Sequence, residues 1–380
     1  MRAVFLGLGR RSRDFLAKLP DYDGIEVVAG ADTWEAARLH AEKACRGIQT
    51  YETPEALFRE HEDIDLALVF SRDVEHEACV LAALANGADV FVEKPMATTP
   101  EACRNMIRAA REAGRRLMVG FNLRFHPTVL EARAFLDAGR AGRLRAIWEW
   151  HEVDLNYFHN WMSVRALSAG LLFQKGSHDF DLINWFAQDT PLKVAAFGGL
   201  DYHGGTHSND LHCPACPERK GCPESVGEVR FPSNSDPAGV PNLEQMKCAF
   251  RKEIDVCDNH VVNLLYAKGI KASYTEIHAS PLPQRRFVLF GEKGRLEFDV
   301  GEPTLCWRPR DRSCEPERWP AASAAGGHGG ADGRMTDAIV SVFRDGAPVP
   351  VTGEDGLNAV LVSHAAETAI GTQQVMDLDS

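Results

Sequence analysis

No apolar run in the 380-residue chain approaches the roughly 18 residues that a helix needs to cross a bilayer. The first ten residues, MRAVFLGLGR, lack the long apolar stretch and small-residue cleavage site of a signal peptide. Positive charge is also in deficit. The 54 acidic and 42 basic residues leave a net charge of −12. This disfavours nucleic acid and anionic membranes as partners, because both recruit basic patches. No internal repeat is visible. A cytoplasmic, globular protein acting on a small molecule is the expectation. With 44% hydrophobic residues and this length, two domains are expected.

The first 120 residues alternate strand and helix. Apolar strands are predicted over 2–7, 25–31, 64–70, 89–92 and 116–120, with helices over 12–19, 34–44, 74–86 and 100–113. This rhythm implies a parallel sheet covered on both faces. After Pro127 it stops. Residues 144–153 and 261–273 alternate apolar and polar, as half-exposed antiparallel strands do. Residues 287–298 read as a hairpin around Glu292-Lys293-Gly294, 321–333 as a Gly/Ala-rich loop, and 356–370 as a closing helix. The expected division is 1–122 and 123–380, with an insertion at about 203–250.

GLGRRS, Gly7 to Ser12, lies between a strand and a helix and fits G-x-G-x-x-G, with Ser12 as the last member. Gly7 permits the tight turn, Gly9 lets the backbone approach a pyrophosphate, and the helix start supplies amides. Asp32 ends the second strand, 20 residues past Ser12, where a carboxylate can accept from ribose hydroxyls and repel a 2′-phosphate. NAD is therefore favoured, and Arg10 and Arg11 keep NADP open. VEKPMA places Glu93 and Lys94 at the carboxyl edge of a strand, with Lys94-Pro95 a candidate cis peptide. Asn122, Arg124 and His126 in GFNLRFHP share that edge. Ser71 and His76 join the cofactor-side candidates. In LLFQKGSHDFDLINWF, residues 171–186, a buried-looking helix carries a stripe of Gln174, His178 and Asp181, with Lys175 beside it. Tyr157 and Trp161 are candidates for stacking on a sugar face or a nicotinamide. His328, in GGHGGAD, is either a substrate-side group or part of an exposed linker.

Cysteines 213, 216, 222 and 248 are grouped, whereas Cys45, Cys79, Cys103, Cys257, Cys306 and Cys314 are scattered. Cys-x2-Cys with two further thiolates is a zinc spacing, and a closed four-thiolate site is structural. Structural zinc on Cys213, Cys216, Cys222 and Cys248 is expected. An iron–sulfur cluster is the alternative, and His203, His207, His212 and Cys257 are substitute ligands.

EKP, GFNLRFHP and the G-x-H-x-x-D helix together resemble the glucose–fructose oxidoreductase / inositol dehydrogenase (Gfo/Idh/MocA) family over nearly the whole chain. The resemblance implies an α/β protein: an N-terminal Rossmann domain, then an α/β domain with a large open, mainly antiparallel sheet. It implies a nicotinamide-dependent dehydrogenase of sugars, sugar acids or inositol-like compounds, assembled as a dimer or tetramer. By resemblance His178 is the acid/base and Lys94 assists; Lys175 is a further catalytic candidate, and Arg124, Tyr157, Trp161, Gln174, Asp181 and His328 are candidates for the substrate side. Gln174 stands where the family pattern D-x-G-x-H-x-x-D has an acid, and Lys175 adds a cation. Two other readings stay open: a redox-neutral NAD-dependent glycosidase or lyase, and a non-catalytic NAD sensor.

Overall fold

The computed structural model describes residues 1–153, 155–226, 246–322 and 327–378. They form two compact units, Met1–Phe125 with Gly326–Leu361, and His126–Ala325 with Val362–Ser380.

The first unit carries a six-stranded parallel sheet in the order β3-β2-β1-β4-β5-β6. The strands are β1 Arg2–Leu6, β2 Glu26–Ala31, β3 Gln49–Tyr51, β4 Leu66–Val69, β5 Asp89–Glu93 and β6 Leu117–Gly120. Between them run helices α1 Arg13–Lys18, α2 Glu35–Ala44, α3 Pro54–Glu60, α4 His76–Ala85 and α5 Pro100–Ala113. The central strands are apolar along their whole length because both sheet faces are covered. Helix α5 shows why some bounds were readable. Thr99 Oγ1 accepts from the Ala102 amide at 3.2 Å, Pro100 opens the first turn, and Gly114, at φ 63°, ends it. Phe5, Phe15, Phe70 and Phe91 pack as one aromatic group. Met335 and Ile339 of helix α9, Ala331–Phe343, complete that core. The chain thus returns to its first unit through a segment that the sequence reading placed after residue 122.

The second unit holds a nine-stranded sheet. Its strands are β7 Leu144–Val153, β8 Pro191–Gly199, β9 Asn259–Tyr266, β10 Lys271–His278, β11 Gln284–Gly291, β12 Gly294–Asp299, β13 Thr304–Pro309, β14 Glu317–Pro320 and β15 Met376–Asp377. The order is β14-β13-β12-β11-β7-β10-β9-β8-β15, antiparallel except between β7 and β10. The hairpin at Glu292–Gly294 is where the sequence put it. The run 261–273 is two strands joined by a turn at Gly269, φ 85°, which the alternation alone did not reveal. Helices α6 Pro127–Asp137, α7 Arg165–Ser168 and α8 Ser177–Ala187 belong to this unit, and α10 Gly353–Thr372 carries the division between units.

The sheet's polarity is unusual. Its inward residues include Glu149, His151, Tyr274, Glu276, His278 and His260, all buried. Its outward residues include Trp148, Phe197, Val261 and Ile277, exposed by 53, 70, 40 and 45%.

Candidate active site

In the first unit the chain leaves β1 through Gly7, at φ 99°. A Cβ there would sit 2.4–2.5 Å from the backbone of Phe70 and Ser71, so only glycine fits. A Cβ on Gly9 would meet nothing within 4 Å. That open space above the backbone fits a pyrophosphate's approach. Ser12 Oγ donates to the Gly9 carbonyl at 2.8 Å and closes the loop from below. Asp32 Oδ2 accepts from the Leu8 amide at 2.7 Å and Oδ1 from the Trp34 amide at 2.8 Å. The carboxylate therefore shapes the glycine loop from the tip of β2.

Arg11 is not free for a ligand phosphate. Its Nε lies 2.5 Å from Glu93 Oε1 and its Nη1 2.9 Å from Asp332 Oδ1. Burial works against the guanidinium's charge, but Glu93 and Asp332 together raise its pKa. Arg10 is exposed. Asp332 also accepts from Asn122 Nδ2 at 2.8 Å and pairs with His328 Nδ1 at 2.7 Å. Burial would push Asp332 up, yet His328, Arg11 and Asn122 hold it well below the carboxylate range. His328 thus belongs to the first unit, with the cofactor-side residues. The Lys94–Pro95 peptide is cis, and the Lys94 amide donates to Glu93 Oε2 at 2.7 Å. Buried His76 has its ring nitrogens 2.9 Å from the Pro95 carbonyl and 3.2 Å from that of Ser71, so it ties two loop strands together. Arg124 is buried against Asp355 Oδ1 at 2.9 Å and the Pro350 carbonyl at 3.3 Å, partners in its own unit.

In the second unit, α8 is preceded by a π-turn, Leu172–Gly176. Such turns insert an extra residue and occur often at functional sites. The face expected from regular helical counting therefore holds only from Ser177 onward. Gln174, His178 and Asp181 are buried, at 4, 8 and 1% exposure. Lys175 is half-buried and its Nζ sits 4.6 Å from the Tyr157 ring centroid, a cation–π contact. Trp161 is half-buried nearby in sequence.

Asp179, which the sequence reading passed over, is the hub under this helix. It is fully buried. Arg285 Nε lies 2.7 Å from Oδ1, and His151 Nδ1 and the Tyr274 hydroxyl lie 3.1 Å from Oδ2. Tyr274 Oη is also 2.5 Å from Glu276 Oε2, and Glu276 Oε1 is 2.7 Å from His278 Nε2. Burial opposes Asp179's charge, but Arg285 and His151 hold its pKa down. Burial, and then Asp179 itself, raise Glu149 well above the usual range. Burial and then Arg285 lower His151 to about 4. Burial raises Glu276, and burial drops His278 well below its ordinary value. By distance His151–Asp179 and His278–Glu276 resemble ion pairs. The pKa directions favour neutral imidazoles, so these contacts are hydrogen bonds and not ion pairs. Asp179–Arg285 is then the formal ion pair of this network.

The expected zinc site is not supported. Among the described residues no three His, Cys, Asp or Glu side chains are grouped to hold a metal ion. Cys213, Cys216, Cys222 and Cys248 do line one pocket of about 370 Å³.

Comparison with known proteins gives the family. Residues 1–121 match the oxidoreductase-family model with an NAD-binding Rossmann fold, and 129–297 match the GFO/IDH/MocA C-terminal domain. The chain belongs to the Gfo/Idh/MocA family. It is an NAD-binding oxidoreductase of that family. YteT of Bacillus subtilis (strain 168) is 28% identical over 302 residues, 70% of each chain. Inositol 2-dehydrogenase 2 of Saccharopolyspora erythraea is 33% identical over 187 residues, 49% of this chain and 53% of that protein. The chain thus spans about half of that relative's length. A levoglucosan dehydrogenase in complex with NADH shares the fold at a TM-score of 0.78, with 16% identity over 100% of this chain and 99% of that one. Among the described residues no helix is long and apolar enough to cross a membrane.

Proposed function

We propose that the chain is an NAD-dependent dehydrogenase acting on a secondary hydroxyl of a sugar, sugar acid or inositol-like substrate. The observation that carries this reading is the buried imidazole of His178 on a helix opened by a π-turn, with Gln174 and Lys175 in that turn. The inositol and levoglucosan dehydrogenases above act on substrates of this class. NAD, when bound, accepts the hydride from the carbinol carbon. The glycine loop from Gly7 to Ser12 and Asp32 hold its phosphates and ribose. Ser71, Glu93 and Asn122 line its carboxyl-edge side, and Asp332 fixes Arg11 and Asn122. His178 takes the hydroxyl proton, and Lys94 is the assisting group. Gln174 and Asp181 orient neighbouring hydroxyls, and Tyr157 with Trp161 packs on the sugar ring. Lys175, charged and held over Tyr157, favours a substrate carrying an acid group. The exposed apolar face at Trp148, Phe197, Val261 and Ile277 supports self-association into a dimer or tetramer.

The test incubates the enzyme with sub-stoichiometric NAD, then with excess NAD, across polyols, aldonic acids and aryl glycosides. NADH and bond cleavage are followed together. NADH formed in step with oxidised product, and lowered by roughly two to four orders of magnitude in His178→Ala, is the expected result. Aglycone far exceeding NAD without accumulated NADH would replace this reading with a redox-neutral glycosidase. Unchanged turnover in His178→Ala would make His178 structural.

A further inference from the structure

The loop that carries Tyr157 and Trp161 has little regular structure of its own. It runs through two 3-10 turns, Leu155–His159 and Trp161–Ser163, before α7. Its backbone is nevertheless buried. Phe158, His159, Asn160 and Ser163 are at most 2% exposed. Buried carbonyls outside a helix or sheet ladder need partners from elsewhere. The segment from His203 to Asp258, which takes no part in the hydroxyl chemistry above, provides them.

Arg251 is the centre of that contact, at 0% exposure. Its Nη1 donates to the Phe158 carbonyl at 2.6 Å and to the Cys248 carbonyl at 3.1 Å. Its Nη2 donates to the Asn160 carbonyl at 3.0 Å and to Ser163 Oγ at 2.7 Å. Its Nε lies 2.6 Å from Glu253 Oε1. The planar fork thus grips the loop at residues 158, 160 and 163. Neighbouring bonds repeat the attachment. The Lys247 amide donates to the His159 carbonyl at 3.0 Å, His159 Nδ1 lies 2.8 Å from the Lys247 carbonyl, and Asp255 Oδ1 accepts from the Arg165 amide at 2.7 Å. The Phe158 ring stacks on His203 with centroids 3.7 Å apart, and it packs with Ala249, Ile254 and Val256.

Burying a guanidinium is costly, and Glu253, its carboxylate partner here, is only half-buried. An apolar side chain of similar volume fills such a space without that cost. The fork supplies what an apolar side chain cannot, a fixed direction for the loop's carbonyls. Tyr157 precedes Phe158 and Trp161 follows Asn160, so both aromatics leave the backbone beside a gripped carbonyl. The Tyr157 ring in turn carries the Lys175 ammonium, 4.6 Å from its centroid. Given the dehydrogenase reading above, we infer that Arg251 is a positioning residue for the substrate. Through Phe158 and Asn160 it sets Tyr157 and Trp161, and through Tyr157 it sets the cation of Lys175. The segment from His203 to Asp258 then determines specificity from behind the loop, without touching the reacting atoms.

Steady-state kinetics on the full chain separate positioning from plain support of the fold. In Arg251→Met, KM for the oxidised polyol or aldonic acid should rise roughly tenfold while kcat stays within roughly twofold and NAD affinity is unchanged. Arg251→Lys, with an ammonium in place of the fork, should restore part of the loss. Ser163→Ala removes one grip, keeps the test available where Arg251→Met does not fold, and should raise KM by a smaller factor. The deciding measurement is a double-mutant cycle. In a Tyr157→Leu/Trp161→Leu background the same Arg251 or Ser163 substitution should have no further effect on KM. A kcat that falls with KM unchanged, or the same rise in KM in that background, would overturn the inference. Unmodified protein that forms no NADH from any of these substrates would overturn the dehydrogenase reading and this inference with it, whereas a failure seen only in the variants overturns the inference alone.

Discussion

At Asp32 both carboxylate oxygens are already engaged by backbone amides, those of Leu8 and Trp34. Each oxygen keeps a further acceptor position, so accepting from ribose and anchoring the loop are compatible. A 2′-phosphate would bring an anion against this carboxylate. Arg11, the cation that would offset it, is spent on Glu93 and Asp332, which leaves exposed Arg10. We expect calorimetry to show NAD binding at least roughly tenfold more tightly than NADP, about 1.4 kcal/mol. Asp32→Ala should narrow that gap and also weaken NAD itself, because the Leu8 amide loses its acceptor. Tighter NADP binding by the unmodified protein would reject the assignment. Gly7, Gly9 and Asp32 stand out in the sequence because the strand, turn, helix and second strand that carry them are consecutive. Asp332 does not, although its motif was noticed, because its role exists only where a segment 210 positions from Asn122 folds back.

Helix α8 and its sheet show the same limit one level up. Alternation in 144–153 gave a half-exposed strand without assigning its buried face. The structure buries Ile147, Glu149, His151 and Val153 and leaves Trp148 exposed. A polar lining on the buried face reverses the usual assignment of faces, and periodicity records the period, not the side. The π-turn was equally hidden, since nothing in LFQKG distinguishes it from a regular turn. Asp179 and Arg285 hold this interface, and each is unaffordable alone. Arg285→Met leaves a buried carboxylate unpaired and should destabilise by about 3–5 kcal/mol in urea unfolding. Asp179→Asn should cost a similar amount by stranding the guanidinium. The double variant removes both charges and should lose clearly less than the sum of the two. Strictly additive losses would show that the two groups do not act as a pair.

Across the whole molecule, this buried chemistry makes stability depend on pH in a defined direction. Burial holds His151 and His260 at about 4, and His278 and His159 are lowered by burial as well. In the unfolded chain these imidazoles titrate near 6.5. Between about pH 4 and 6.5 the unfolded state therefore binds more protons at each, and stability is lost as pH falls through that window. Glu149 and Glu276 act in the opposite sense, because their raised pKa values keep protons that the unfolded chain releases. The two carboxyls are outnumbered by the four imidazoles, so a rise in stability toward pH 6.5 is the direction expected. His260 isolates one contribution. It is 1% exposed, neither ring nitrogen has a hydrogen-bond partner, and Glu276 Oε1 stands 3.7 Å from Nδ1. With a native value near 4 against 6.5, its penalty at about pH 5 relative to pH 8 is about 2 kcal/mol. His260→Leu keeps the volume and removes the titration. Chemical unfolding from about pH 5 to 8 should therefore show the variant gaining about 2 kcal/mol on the unmodified protein at the acid end, relative to the alkaline end. Parallel curves would mean that His260 is hydrated or charged in the folded state, and that the sheet's inner face is wetter than its packing indicates.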